Sequence, residues 1–316
     1  MPGDARLIHP TTLLVTQTLI RMTECSARSV QADICQIHLI KNIQMKKIAL
    51  SLAIVIAITF GLYSCSKDVI QEPKPTEGLT MLTEGYVPGA ATKMELYSKD
   101  ASINSGFSKF YIALYDSVTG NRVDNAEIQL MPMMDMGMMQ HSAPYENPAS
   151  LKAVNHLFPC SVVFIMSSMG GTWTVKVNVK NLSNNKEGYL TIPLTVTEPV
   201  KSKQKSFTAT HNGSKYFISL IDPVAPKVGI NDMEIAVYKK VSMMSWPADS
   251  SLSVTLTPEM PTMGHGSPNN VNPVHIGKGH YKGKVNFTMT GYWKLNLDFM
   301  SGAAVADSTQ FFDIEF

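Results

Sequence analysis

The feature that most constrains the fold is a repeated alternation of apolar and polar residues in many short segments. Side chains in an extended strand point to opposite faces in turn, so this period of two predicts half-buried β-strands. Clear examples are FYIALY (residues 110–115), YFISLI (residues 216–221) and WKLNLDF (residues 293–299). No stretch after residue 65 keeps a helical period. With roughly six or seven short strands in each half, we predict an all-β chain of two immunoglobulin-like antiparallel β-sandwiches.

Three sequence blocks occur twice in the same order, which predicts two tandem copies of one unit. The paired blocks are GFSKFYIALYDS (106–117) with NGSKYFISLIDP (212–223), IQLMPMMDMG (128–137) with VTLTPEMPTMG (254–264), and FIMSSMGGTWTVKVNV (164–179) with VNFTMTGYWKLNLDF (285–299). We place the first, more divergent copy at residues 91–198 and the second at residues 205–316. Trp173 and Trp293 fall at matching positions, where buried tryptophans are expected to anchor each core.

A continuous apolar run precedes both copies, at residues 48–63. It is short for a membrane-spanning helix, which needs about 20 residues, but it suits the apolar part of a secretory signal. Leu62, Ser64 and Cys65 follow in the order of a lipobox. We therefore predict a lipoprotein signal peptide at residues 45–64, cleaved before Cys65, whose thiol would carry the lipid. A plain transmembrane anchor is the alternative, and either interpretation exports the remainder of the chain.

The segments on either side of this signal carry little periodicity. Residues 65–90 are rich in Pro, Gly, Glu and Thr and are predicted to be a flexible tether, whereas residues 1–44 are interpreted as an over-extended N-terminus. We expect a lipid-anchored protein of the cell envelope, either periplasmic or on the surface of the outer membrane. The chain is nearly neutral, with a net charge of +2 and no basic cluster interleaved with aromatic residues, so nucleic acid is not an expected partner.

A methionine-rich polar turn in the second copy, at residues 260–273, is the first candidate functional site. Its glycine and proline residues permit a bend that would let Met260, Met263 and His265 converge on one point. His275 lies only a little further along the chain and could return to the same turn, as could His280. The corresponding turn of the first copy follows the same logic.

The first copy has its methionine turn at residues 131–148. Here Met133, Met136 and His141 are the predicted ligands, with Met138 as an additional candidate. Six methionines in this turn exceed what one ion requires. An alternative interpretation is that they form a hydrophobic plug at the open end of the sandwich, a role that flexible methionine side chains fill well.

Thioether sulfur and imidazole together favour copper. Soft thioethers select Cu(I), and imidazole suits copper in either oxidation state. Residues 260–273 contain no carboxylate, so Ca²⁺ and Mg²⁺ would be poorly bound there, and zinc prefers cysteine, histidine and carboxylate ligands. Methionine also survives in an oxidising compartment, where a thiolate is readily lost. We therefore expect copper as the cofactor, with Cu(I) favoured.

The order MPTMGHGSP…GHYKGKVNFTMTGYWKLNLDF resembles the YtkA-like (FixH-like) domain family. The second copy resembles the family throughout, whereas the first resembles it in the methionine turn and the Trp173 strand but departs at HLFPCSVVFIM (residues 156–166). The resemblance implies an immunoglobulin-like sandwich, extracytoplasmic placement, a role in copper handling and no catalytic activity. It also implies that the methionine–histidine triplets named above would carry any ligand role.

No nucleophile with a base, carboxylate pair or phosphate-binding loop is evident, so we do not expect an enzyme. Our leading hypothesis is a membrane-anchored copper-binding protein that holds Cu(I) for transfer, export or assembly of a copper enzyme. Its partners would then be the membrane, through the lipid on Cys65, and a copper donor, acceptor or efflux protein. The alternative hypothesis is a non-metal tandem β-sandwich that serves the cell envelope as an interaction or spacer module.

Overall fold

The computed structural model describes residues 74–316, which belong to one compact unit, Pro73–Phe316. The predicted signal peptide, Cys65 and residues 1–44 lie outside the described residues. Between residues 74 and 316, no helix is long and apolar enough to cross a membrane. The secondary structure of this part of the chain consists of β-strands and two 3₁₀ turns, Pro88–Ala90 and Ser168–Gly170, so the predicted all-β fold class is confirmed.

Two sheets build the first half of this unit. Its strands are β1 (Thr80–Val87), β2 (Thr92–Ser98), β3 (Ile103–Asn104), β4 (Gly106–Asp116), β5 (Ala126–Asp135), β6 (Gln140–Ser142), β7 (Tyr145–Glu146), β8 (Phe158–Phe164), β9 (Thr172–Asn181), β10 (Lys186–Leu194) and β11 (Val196–Thr197). One sheet has the order β1-β2-β4-β8-β7 and the other β10-β9-β5-β6, with antiparallel neighbours. The short strands β3 and β11 pair in parallel.

The second half repeats this plan. Its strands are β12 (Gln204–Thr208), β13 (Lys215–Asp222), β14 (Gly229–Lys240), β15 (Leu252–Met260), β16 (His265–Gly266), β17 (Val271–Gly277), β18 (His280–Phe287), β19 (Tyr292–Ser301) and β20 (Ala304–Glu315). The sheets run in the orders β12-β13-β14-β18-β17 and β16-β15-β19-β20. A five-stranded sheet thus faces a four-stranded sheet in both halves.

Each half has its own apolar core between its two sheets. The alternation along β9 buries Trp173, Val175, Val177 and Val179 on one face, and these residues share a core with apolar residues of β4 and β8 from the opposite sheet. The second core is assembled in the same way around Trp293. Both tryptophans are completely buried, because a large apolar ring gains most by leaving water at the centre of a sandwich.

The structure corrects the predicted extent of the tether. Residues 80–87, which the sequence assigned to a flexible segment, form strand β1 and pair with β2. The alternation is weak there because β1 is an edge strand with most of its side chains partly or fully exposed, and backbone hydrogen bonds hold it instead. The immunoglobulin-like topology and the boundaries given for the two copies stay predictions.

The two five-stranded sheets contact each other through their outer faces. Val163 on β8 points away from the core that holds its neighbours, and it packs against Ala236 and Tyr238 on β14. Phe107 and Ile221 extend this small apolar cluster. The contact brings the β6–β7 segment of the first sandwich against the second sandwich, and this segment carries one of the predicted ligands.

Candidate metal centres

A histidine and a methionine sulfur face each other at one end of the first sandwich. His141 lies on β6 and is almost fully buried. Its Nδ1 lies 2.8 Å from the carbonyl oxygen of Ser142, and because a carbonyl can only accept, the ring donates from Nδ1. With Nδ1 as the donor, a neutral ring presents a lone pair at Nε2. It lies 3.4 Å from Sδ of Met166, a second electron-pair donor.

Two more methionines approach the same glycine as Met166. A Cβ atom placed on Gly170 would lie 2.6 Å from the methyl carbon of Met166, 3.7 Å from that of Met136 and 3.9 Å from that of Met134. Met134 is completely buried and lies directly opposite His141 in the β5–β6 pair. Three methyl groups therefore converge on a glycine that leaves room for them.

Trp173 packs against this group of side chains. We call the whole group site one (Met134, Met136, His141, Met166 and Trp173). The tryptophan lies opposite Met134 in the β5–β9 pair, and its ring meets that of His141 edge-to-face with centroids 5.4 Å apart. Its indole Nε1–H donates to the carbonyl oxygen of Met166 at 3.0 Å. This bond fixes the backbone of Met166, whose sulfur faces the imidazole.

The second sandwich repeats the arrangement, and we call its group site two (Met260, His265, Met289 and Trp293). Met260 on β15 lies opposite His265 on β16. Nδ1 of His265 donates to the Gly266 carbonyl at 2.9 Å, its ring lies edge-to-face to Trp293 at 5.9 Å, and Trp293 Nε1–H donates to the Met289 carbonyl at 3.0 Å. Each of these contacts matches one in site one.

Sequence reasoning missed three of these methionines, Met134, Met166 and Met289. Met166 and Met289 each follow the last phenylalanine of a buried strand by two residues, at Phe164 and Phe287, so the Phe-x-Met pattern was the available signal. The alternation along β5, which buries Ile128, Leu130 and then Met134, could have identified Met134.

Only some of the predicted first-copy ligands lie together. Met136 and His141 belong to site one, whereas Met133 lies one residue before the buried Met134 and so points to the opposite face of the strand. The prediction of Met133 is corrected on this ground. Met138 is fully exposed at the tip of the turn, so it has no position among the converging methionines.

The second-copy prediction also requires correction. Met260 is 4% exposed within the core, whereas Met263 is 61% exposed, so the two thioethers do not share one environment. The turn brings the backbone of Met263 back to the Met260 carbonyl, at 3.1 Å, without bringing its side chain inward. This arrangement counts against a site made from Met260 and Met263 together.

The two additional histidines have other partners. His275 Nε2 accepts from the backbone N–H of Gly279 at 3.3 Å, and its ring packs on Tyr281. His280 donates from both ring nitrogens, to Glu234 and to Glu146, each at 2.7 Å. A histidine held between two carboxylates has no lone pair for a metal, so the structure removes His280 from the ligand set.

The electrostatics around His280 follow from this geometry. Burial lowers the pKa of His280, but the hydrogen bonds and charges of Glu146 and Glu234 outweigh burial, and the pKa is raised above 6.5. Burial acts on Glu146 in the opposite direction and raises its pKa. The hydrogen bond and charge of His280 outweigh burial, so the pKa of Glu146 is lowered below 4.5. The group therefore forms a charged clamp between the sandwiches.

The part of the chain that the structure describes has no metal site built from the common ionisable ligands. Among residues 74–316, no group of three or more His, Cys, Asp and Glu side chains could hold a metal ion. Burial raises the pKa of the Cys160 thiol to about 12, so this residue stays protonated. Any ion bound at sites one and two would rely on thioether sulfur and a single imidazole.

One part of the chain matches a known family model. Residues 212–298 match the YtkA-like family model, a segment that contains all four residues of site two but covers less than half of the chain. No curated protein is significantly similar to this chain.

Solved structures give only remote similarity. Domains 5–6 of the S-layer protein SbsC have a TM-score of 0.27 at 12% identity, over 75% of this chain and 97% of that chain. A conserved domain protein from Bacillus anthracis has a TM-score of 0.30 at 11% identity, over 77% and 90%. Domains 4–9 of SbsC have a TM-score of 0.25 at 13% identity, over 75% and 30%. No functional argument follows from scores this low.

Proposed function

We propose that this chain binds a soft metal cation, with Cu(I) preferred, at site one and at site two. The observation that carries the proposal is the pair of facing donors in site one. Nε2 of His141 and Sδ of Met166 lie 3.4 Å apart. Both present electron pairs when the ring is neutral and donates from Nδ1. A proton on Nε2 would join the two atoms by an N–H···S hydrogen bond, and a soft metal ion bound to both would join them in its place.

The spacing of these atoms fits one ion. Bonds as long as those of protein-bound zinc, about 2.0 Å to nitrogen and about 2.3 Å to sulfur, separate the two donors by about 3.4 Å when the angle at the ion is near 105°. Thioethers carry no charge and prefer soft ions, which favours Cu(I) over divalent cations. Met134 and Met136 are the further sulfur ligands at this point.

The duplicated geometry supports the proposal further. In both sandwiches a histidine donates from Nδ1 to the next carbonyl, lies edge-on to a buried tryptophan and pairs across strands with a buried methionine. We accordingly propose that both halves are copies of one YtkA-like (FixH-like) unit with an immunoglobulin-like topology. No catalytic role is proposed.

We further propose that the protein is a bacterial lipoprotein, anchored in the cell envelope through lipid on Cys65. It would hold the ion for export, transfer or assembly of a copper enzyme. Met136 is partly exposed at the edge of site one, and Met139 is about half-exposed in the same turn. Such a series of thioethers suits ion transfer to a copper donor or acceptor, because each neutral sulfur is a weak, exchangeable ligand.

A titration of the purified full chain with Cu(I), under anaerobic conditions and against a competing chelator, tests the proposal. Met166→Leu conserves volume but removes the sulfur, so it should weaken binding at site one by about tenfold or more without unfolding the core. Met138→Leu, in the same turn but fully exposed, is the matched control and should bind like the wild type.

Equal affinity of the wild type and Met166→Leu would contradict the assignment of site one. Failure of the wild type to bind Cu(I) at all would overturn the copper function and leave the non-metal interaction or spacer module as the better hypothesis. Exposed methionines at the sandwich end, Met131, Met138 and Met139, would then form an adaptable contact surface.

A further inference from the structure

The segment that carries His141 lies in a crevice between the two sandwiches. This crevice has a volume of about 630 Å³, and residues 142–148 of the first sandwich line it together with residues 244–248 of the second. The backbone N–H of Ser142, the residue after His141, donates to the carbonyl oxygen of Met243 at 2.9 Å. A strand of the first site is therefore bonded directly to the second sandwich.

Trp246 covers the same region from the second sandwich. Its ring centroid lies 6.5 Å from that of His141 and 5.1 Å from that of Phe217, and its Nε1–H donates to the Met243 carbonyl at 3.3 Å. Although it belongs to a loop, this tryptophan is only 8% exposed. The loop is thus held in a defined position beside the imidazole.

A second attachment holds the other end of the His141 segment. Glu146 on β7 accepts a hydrogen bond from His280 at 2.7 Å and another from the hydroxyl of Tyr238 at 3.3 Å. Both partners belong to the second sandwich. The chain between Ser142 and Glu146 is consequently fixed at each end by the neighbouring sandwich.

Comparison of the two sites shows what this attachment changes. His141 and His265 have the same local partners, a following carbonyl, a buried tryptophan and a methionine across the strand pair. His141 is nevertheless 4% exposed, whereas His265 is only half-buried. The ring of Trp246 in the second sandwich faces His141, and we attribute the greater burial of His141 to this contact.

We propose that the second sandwich closes the ion site of the first, with loop 241–248 as the cover and Trp246 and His280 as positioning residues. This inference rests on the proposed function at site one and adds its regulation. An ion in site one exchanges only when the loop moves, whereas site two exchanges freely. The covered site is therefore the slow, storing site and the uncovered site the fast one.

Release of Cu(I) to a chelator, followed by stopped flow on the full chain, tests this closure. Site two is silenced by His265→Ala so that only site one is observed. Adding Trp246→Ala should accelerate release by about tenfold, the lower bound for loss of a supporting residue at a metal site. Trp246→Phe keeps an aromatic ring against Phe217 and should restore slow release. His156→Gln, which removes an exposed ion pair elsewhere in the first sandwich, is the control and should not change the rate.

A second measurement needs no metal. Oxidation of Met166 by hydrogen peroxide, followed by mass spectrometry on the metal-free full chain, should be faster in Trp246→Ala and in His280→Gln than in the wild type or Trp246→Phe. His280→Gln serves if Trp246→Ala fails to fold. Unchanged oxidation in both variants, or unchanged Cu(I) release, would overturn the closure. If the wild type binds no Cu(I), the proposed function fails, and the oxidation rates alone decide whether the loop covers this end of the sandwich.

Discussion

Replacing His280 with glutamine tests the charged clamp between the sandwiches. The imidazolium donates to Glu146 and Glu234 at 2.7 Å each, and all three side chains are at most 20% exposed. Hydrogen bonds to charged groups contribute about 1.5–3 kcal/mol each, but part of this is lost to solvent screening here. The substitution also leaves two carboxylates facing each other. We expect the free energy of unfolding to fall by about 2–3 kcal/mol.

The clamp should stabilise the folded protein only over a limited range of pH. Because the pKa of His280 is raised above 6.5 in the folded state, its stabilisation is complete below 6.5 and disappears as the pH rises through the raised value. Because the pKa of Glu146 is lowered below 4.5, its contribution is present above 4.5 and disappears as the pH falls through the lowered value. The clamp therefore stabilises the protein between these two limits.

Scanning calorimetry of the wild type and His280→Gln is the assay. Near pH 6 the variant should melt about 5–10 °C lower, since 1 kcal/mol shifts the midpoint by about 2–4 °C in a unit of this size. At higher pH, above the raised pKa of His280, the two proteins should melt more closely together, because the wild-type histidine has then lost its charge. His156→Gln, which breaks an exposed pair with Asp124, should have little effect at either pH. A difference that does not change with pH would refute the charged clamp.

The remaining predictions concern buried positions in the first sandwich. Since burial raises the pKa of Cys160 to about 12, iodoacetamide should modify this thiol only after denaturation, as mass spectrometry would show; rapid labelling of the native protein would contradict its placement. A Cβ atom on Gly171 would lie 2.1 Å from the carbonyl oxygen of Asp135, so Gly171→Ala should lower the free energy of unfolding by about 1–3 kcal/mol in urea denaturation. An unchanged urea midpoint would show that the backbone of β5 can move away at no cost.

Part of each candidate site could be predicted from the sequence. Four residues of sites one and two, His141, His265, Met136 and Met260, were already predicted as ligands because the turns that carry them stand out from their polar surroundings. Met133 was predicted because Met133 and Met136 have the same three-residue spacing before a glycine as Met260 and Met263. In the sheets, Met134 is the residue that faces Trp173, and Glu259 pairs with Lys294 so that the next residue, Met260, takes the matching place.

Long-range partners were harder to predict. Met166 lies 25 residues after His141 and reaches it only because β8 and β9 belong to opposite sheets of one sandwich, so that their connection crosses the end of the core. His280 was regarded as a spare ligand because it follows the second methionine turn. Its partner Glu146 is 134 residues away, and no local pattern reveals a contact between the outer faces of two sheets.

Local sequence was enough to predict most of the strands, the burial of Trp173 and Trp293 and the supply of soft donor side chains, because alternation and residue chemistry are local properties. Tertiary structure decided which methionines turn inward, which sulfur faces His141 and which histidine joins the sandwiches. Those outcomes depend on sheet order and on contacts between strands far apart in the chain. A period of two specifies that a strand has two faces, but only packing decides what each face meets.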